Sequence, residues 1–186
     1  SANNYSSVRN LGLYYLDKST AHGALDKQFL IAGIQNLGKF CSTEYFDEYS
    51  KIAGDERLLV QSHAVQQELV ENIYPPLKTA TDSKVLDIRE LVAAFETFPE
   101  HLRKYFIDKC TASPINDIES FIEKADRTGK SAPAKGYSAA IELYNQSKPR
   151  LASLEKVLSA DSFQLERLKT EIASTMRACA LAYHNE

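Results

Sequence analysis

Apolar residues recur at steps of three and four along the last part of the chain, from Ser159 to His184. An α-helix has about 3.6 residues per turn, so this spacing places the apolar side chains on one face of a helix. The face consists of Leu165, Leu168, Ile172, Met176, Cys179 and Tyr183. The pattern predicts one long helix that buries this stripe against other helices.

The rest of the chain shows the same spacing, and no segment alternates apolar and polar residues with the period of two that a half-buried strand needs. Only 7 glycines and 6 prolines interrupt 186 residues, which leaves room for long helices. We therefore expect an all-α fold. It would be a helical bundle or a short array of antiparallel helical hairpins, with about 8–10 helices.

Several residues suggest where helices begin and end. Pro75-Pro76 predicts the end of one helix, Asp55 a helix cap, and Asn116 with Glu119 a capping box that starts another helix. The segment 126–136 is small and polar, with two glycines and a proline. We expect a single domain over 1–186, with an internal break at 126–136 that separates 1–125 from a C-terminal helical hairpin over 137–186.

Composition argues against several classes of protein. The net charge of −3 offers no general attraction for nucleic acid or anionic lipid, and no apolar run reaches the roughly 18 residues that cross a bilayer. Cys41, Cys110 and Cys179 lie far apart without a CxxC pair, and the histidines form no HExxH motif. We expect free thiols, no metal, no cofactor and a cytoplasmic location, and a fragment of a larger protein remains an alternative.

Two stretches resemble tetratricopeptide repeats. Leu11, Gly12 and Tyr15 match large and small positions of the first repeat helix, and Ala140 with Tyr144 resembles the second helix of another repeat. The resemblance covers about a third of the chain and implies a groove that binds a peptide or a partner helix. An irregular bundle without repeats is the alternative, since no 34-residue period runs through the chain.

Arg177 and His184 are seven residues apart, which is about two turns of the predicted last helix, on the side opposite its apolar stripe. This Arg-x6-His arrangement is similar to the motif of HEPN-type helical ribonucleases. The resemblance implies that Arg177 and His184 would act on an RNA phosphate, as a ribonuclease or an inactive relative of one. An exposed, solvated pair without a catalytic role is the alternative.

The chain contains ten tyrosines, more than its phenylalanines. Tyrosine combines an apolar ring with a polar hydroxyl and is common in protein interfaces. We predict a non-enzymatic interaction or scaffold domain that binds a protein or peptide through Tyr14, Tyr15, Tyr45 and Tyr49. Nucleic acid and membrane are not expected as partners. The alternative is that these tyrosines border the core with their hydroxyls in water.

Overall fold

The computed structural model describes residues 2–20, 26–54 and 62–185 of the chain. These residues form eight α-helices and no strand. The all-α prediction is therefore confirmed for this part of the chain. The helices are α1 (Ala2–Thr20), α2 (Lys27–Cys41), α3 (Thr43–Ala53), α4 (Ser62–Asp82), α5 (Ile88–Ala94), α6 (Glu100–Ser131), α7 (Gly136–Leu154) and α8 (Phe163–His184).

The chain divides into two compact units, residues 1–106 and 107–186, and the division falls within α6. In the first unit, α1 packs along α2, and both contact α3. Among the side chains that the structure describes, the buried apolar ones of this unit come from α2 onward, and they include three phenylalanine rings close together. The ring of Phe95 lies 3.8 Å from that of Phe106 and 4.5 Å from that of Phe98, measured between centroids.

Glycines allow α1 and α2 to approach closely. A Cβ atom built on Gly12 would lie 2.8 Å from the side chain of Leu37, and one built on Gly33 would lie 2.9 Å from that of Leu16. Such distances are shorter than carbon atoms tolerate, so the two helices touch because these positions carry no side chain. Each glycine therefore faces a leucine of the opposite helix.

The second unit contains the rest of α6 with α7 and α8. Its core is formed by small and branched side chains from all three helices: Ile115, Ile118, Ala125, Ala139, Ala140, Leu143, Leu154, Leu165, Leu168, Ile172 and Cys179. Ion pairs at the edges of this core join the helices. Arg167 of α8 lies 2.6 Å from Glu119 of α6.

The stripe predicted for the last helix is buried over most of its length. Leu165, Leu168, Ile172 and Cys179 are buried, and Met176 packs against the core. The expectation was wrong for Tyr183, which is 52% exposed. It lies at the end of α8, where Gly136 offers no side chain to cover it.

Two of the three predicted helix boundaries were wrong, and the third lies outside the described residues. Helix α4 continues through Pro75-Pro76, and α6 continues through Pro114, so Asn116 lies inside a helix. A proline removes one backbone hydrogen bond and costs about 3 kcal/mol. Burial of apolar neighbours on both sides, such as Ile73 and Leu77, offsets that cost. The cap predicted at Asp55 lies outside the described residues.

The interruption expected over 126–136 is shorter in the structure. Helix α6 extends to Ser131, and a 3₁₀ turn at Pro133–Lys135 leads into α7. Both helices next to this turn belong to the second unit. Helices α7 and α8 pack against each other.

A substitution at Gly136 tests the packing of the second unit. A Cβ atom there would lie 2.3 Å from the backbone oxygen of Cys179, which cannot move aside without shifting α8. We expect Gly136→Ala to lower the free energy of unfolding by about 2 kcal/mol or more, as overpacking does elsewhere. Urea denaturation followed by circular dichroism measures this change.

Gly129→Ala is the matched control. Its Cβ atom would lie 3.0 Å from the sulfur of the same Cys179, and a thiol can rotate. The helix also gains about 1 kcal/mol from alanine in place of glycine. We expect a clearly smaller loss than for Gly136→Ala, and equal losses would contradict this account of the contact.

Candidate functional site

An exposed aromatic surface lies on α1 and α2, and it contains two of the four predicted tyrosines. We call it the tyrosine face, and it consists of Leu11, Tyr14, Tyr15 and Phe29. The rings of Tyr14 and Tyr15 lie 5.8 Å apart, and those of Tyr15 and Phe29 stack at 5.9 Å. Tyr14 is 52% exposed, and Leu11 and Phe29 are about as exposed at 41% and 40%. Neighbouring exposed apolar side chains of this kind are found at protein interaction sites.

The helix register places these side chains together. Leu11, Tyr14, Tyr15 and Lys18 follow at i, i+3, i+4 and i+7 on α1, so they share one side of the helix. The ammonium group of Lys18 lies 5.5 Å from the centre of the Tyr14 ring, in reach of a cation–π interaction. The tyrosine face therefore ends in a positive charge.

The start of α2 fixes Phe29 beside Tyr15. The carboxylate of Asp26 accepts hydrogen bonds from the backbone amides of Gln28 at 2.9 Å and of Phe29 at 3.2 Å. The backbone amide of Asp26 in turn donates to the carbonyl oxygen of Ser19 at 2.8 Å, near the end of α1. This cap holds the first turn of α2 against the last turn of α1.

Tyr45 and Tyr49, the other two predicted tyrosines, lie on α3. The ring of Tyr49 meets that of Phe40 edge-on at 5.2 Å, and the Phe40 ring also contacts Phe46. Both tyrosines are half-buried, and Phe40 and Phe46 belong to the core. Tyr49 thus borders the core, and Tyr15 is half-buried as well, whereas Tyr14 and Phe29 are exposed. A binding role for any of these tyrosines stays a prediction.

Sequence reasoning did not name Leu11 or Phe29 as binding residues, and both are exposed members of the tyrosine face. A signal for Phe29 was present in the helix register. The buried residues of α2 include Leu30, Ile34 and Leu37, which follow at steps of four and three. Phe29 precedes this series by one residue, about 100° around the helix, so it belongs to a second apolar face.

Arg177 and His184 are both exposed on α8. Neither forms a hydrogen bond or ion pair with another described residue. Among the residues that the structure describes, no carboxylate forms a hydrogen bond or ion pair with either side chain that would orient the imidazole. The ribonuclease function that the Arg-x6-His spacing implies stays a prediction.

The cysteines are buried or half-buried and free, as expected. Burial raises the pKa of the Cys41 and Cys110 thiols to about 12, so neither is a ready nucleophile at neutral pH. Across residues 2–20, 26–54 and 62–185, no three His, Cys, Asp or Glu side chains come together in a way that could hold a metal ion. No helix among those ranges is long and apolar enough to cross a membrane.

A pocket of about 140 Å³ lies between α6 and α7. The ion pair between Lys124 and Glu142, at 2.6 Å, spans it, and Gln146 donates a hydrogen bond to the same carboxylate at 3.1 Å. The carboxylate is therefore already satisfied by protein groups. The pocket offers no pair of groups arranged for acid–base or nucleophilic catalysis.

No family model, no characterised protein and no solved structure matches this chain. The candidate site therefore rests on geometry alone.

The first unit also contains a pair of stacked histidines. The rings of His63 and His101 lie 4.3 Å apart, and Nε2 of His101 lies 2.9 Å from the side-chain oxygen of Gln66. Gln66 is buried and donates a hydrogen bond to the carbonyl oxygen of Cys41 at 3.0 Å. Burial, and secondarily the nearby His63, lowers the pKa of His101 below its ordinary value of 6.5.

This lowered pKa predicts a loss of stability in mild acid. Between the lowered pKa of His101 and the ordinary value of about 6.5, the unfolded chain binds more protons than the folded chain. The stabilising contribution is therefore complete above about pH 6.5 and falls as the pH drops through the lowered pKa. Thermal unfolding measured between pH 8 and pH 5 should show Tm falling at the acid end.

The variant His101→Gln keeps a side-chain donor for Gln66 and removes the titration. We expect a flatter dependence of Tm on pH for this variant. His184→Gln, at an exposed position, serves as the control and should follow the wild-type profile. A wild-type Tm that is constant over this range would contradict the assignment.

Proposed function

We propose that this protein is a helical protein-binding module and that its tyrosine face is the surface that receives a partner protein or peptide. The observation that carries the proposal is the exposure of Leu11, Tyr14 and Phe29 together on α1 and α2. A partner that covers these apolar side chains removes them from water, and this stabilises the complex.

The chemistry of the tyrosine face supports a protein partner. Rigid aromatic side chains lose little conformational entropy on binding and often supply the largest part of the binding energy. The tyrosine hydroxyls can hydrogen-bond to a partner's backbone, and Lys18 offers a positive charge beside Tyr14. The cap at Asp26 holds Phe29 in place before binding, which reduces the entropy lost in the complex.

The rigid base of the tyrosine face also supports this function. Helices α1 and α2 pack closely at Gly12 and Gly33, and separating them would lose the contacts of these glycines with Leu37 and Leu16. The aromatic side chains are therefore held in place by two closely packed helices. A face of this kind favours recognition of a helix or an extended peptide laid along α1. The proposal needs no catalytic residue.

The first experiment identifies a partner. A photoreactive phenylalanine analogue placed at Tyr14 should crosslink a protein that the same analogue at Phe163, which is 83% exposed on α8, does not crosslink. Crosslinking of a protein does not by itself support the proposal. The partner is then purified, and its Kd for the wild-type protein is measured by calorimetry.

We expect Tyr14→Ala and Phe29→Ala each to raise that Kd about tenfold or more, as loss of an aromatic interface residue commonly does. Phe163→Ala is the control, because Phe163 is an aromatic residue that is 83% exposed on α8 and lies outside the tyrosine face. The proposal is wrong if neither Tyr14→Ala nor Phe29→Ala changes the Kd, or if only Phe163→Ala does.

A further inference from the structure

A second exposed apolar surface lies in the second unit, on the side of α7 and α8 away from α6. On α7, Tyr137, Ile141, Tyr144 and Lys148 follow at steps of four, three and four. The three apolar members are 60%, 42% and 46% exposed. They lie about 110° around α7 from the centre of its buried residues, so burial inside the unit does not explain them.

Helix α8 forms the other wall. Ala173, Met176, Ala180 and Tyr183 follow at steps of three, four and three, and the ring of Tyr183 lies 6.0 Å from that of Tyr137. The two alanines are exposed, and Met176 is half-buried against the core. Large exposed side chains on α7 thus lie beside small exposed ones on α8, and we call this surface the α7–α8 groove.

Contacts at both ends fix the direction of the α7–α8 groove. Tyr137 meets Tyr183 at one end, and at the other Lys169 lies 3.0 Å from Glu155, the residue that caps α7. Tyr137 and Glu155 are 18 residues apart, which is about five full turns, so both lie on the same side of α7. The exposed row from Tyr137 to Lys148 is about 16 Å long, the length of about three turns of a partner helix.

Beside the exposed row from Tyr137 to Lys148, the charged side chains that flank the α7–α8 groove are positive, and the acidic Glu155 lies beyond this row and pairs with Lys169. Lys148 lies on the α7 side, and Arg177 and His184 lie in one row on the α8 side, about 100–120° around the helix from Tyr183. Helix α7 contains one acidic residue, Glu142, which faces α6 and pairs with Lys124 there. Helix α8 contains no acidic residue after Glu171. A partner seated here meets apolar side chains in the centre and cations at the rim.

We propose that the α7–α8 groove binds an acidic amphipathic helix of a partner protein. Apolar side chains of that helix at i, i+4 and i+7 would pack among Tyr137, Ile141 and Tyr144, and its carboxylates would face Lys148 and Arg177. This site is separate from the tyrosine face and does not depend on the function proposed there. It also gives Arg177 and His184 a role in binding an acidic partner.

The test uses labelled synthetic peptides and the full chain, with binding measured by fluorescence anisotropy. The main probe is a peptide of about four turns with leucines on one face and glutamates on the other. A second peptide keeps the leucines and replaces each glutamate with lysine, and a third keeps the composition of the first but scrambles its order. We expect the acidic amphipathic peptide to bind at least tenfold more tightly than either control.

Variants of the α7–α8 groove locate the binding. Ile141→Asp and Tyr144→Ala should each weaken binding of the acidic peptide at least tenfold, and Tyr14→Ala should leave it unchanged. Lys148→Glu combined with Arg177→Glu should also weaken binding at least tenfold. The control Lys104→Glu combined with Lys130→Glu makes the same change in net charge at exposed sites elsewhere and should have little effect.

Other occupants give different results. If the acidic peptide binds no more tightly than the basic or scrambled peptide, or if Tyr144→Ala leaves its affinity unchanged, the proposal is overturned. It is also overturned if a labelled single-stranded RNA binds through Lys148 and Arg177 while the acidic peptide does not. Sedimentation of the wild type as a dimer that Ile141→Asp converts to monomer would assign the groove to a second copy and overturn the proposal as well.

Discussion

Both units depend on places where one helix carries no side chain toward its neighbour. In the first unit, Gly12 and Gly33 face Leu37 and Leu16 at distances that a Cβ atom would make impossible. In the second unit, Gly129 and Gly136 both face Cys179 of α8. Dispersion attraction falls steeply with distance, so a closer approach gains contacts along the whole length of two helices. The rest of the packing is built around these contacts.

Close packing at the glycines also determines which larger side chains remain exposed beside the helix contacts. Where α1 and α2 touch through glycines, the larger side chains next to them, Leu11, Tyr15 and Phe29, lie beside the contact rather than within it. In the second unit, the absence of a side chain at Gly136 lets α8 approach the start of α7, and Tyr137 and Tyr183 meet outside this contact. The same feature that closes each core therefore produces an aromatic surface next to it. Both proposed binding surfaces arise in this way.

The candidate sites were only partly accessible from the sequence. Tyr14 and Tyr15 were predicted from the abundance of tyrosine, and the structure adds Leu11 and Phe29 to the same surface. Tyr45 and Tyr49 were predicted on the same ground but are half-buried on α3, as Tyr15 is on α1, and Tyr49 packs against Phe40. Composition gives the number of tyrosines in the chain. Whether each ring is exposed or buried depends on which helix packs beside it. For the α7–α8 groove, Tyr137, Ile141 and Tyr144 look from spacing alone like a core stripe.

The sequence by itself determined that the described chain is helical and that Leu165, Leu168 and Ile172 of α8 are buried. That success has a local cause, since helix periodicity is set by backbone geometry within a few residues. Only the tertiary structure decided that helices pass through Pro75-Pro76 and Pro114, and that Phe29 and Tyr183 are exposed. These outcomes depend on contacts between residues far apart in the chain. The free energy of such contacts outweighs the cost of about 3 kcal/mol for a proline inside a helix. Local sequence patterns do not contain information about these distant contacts.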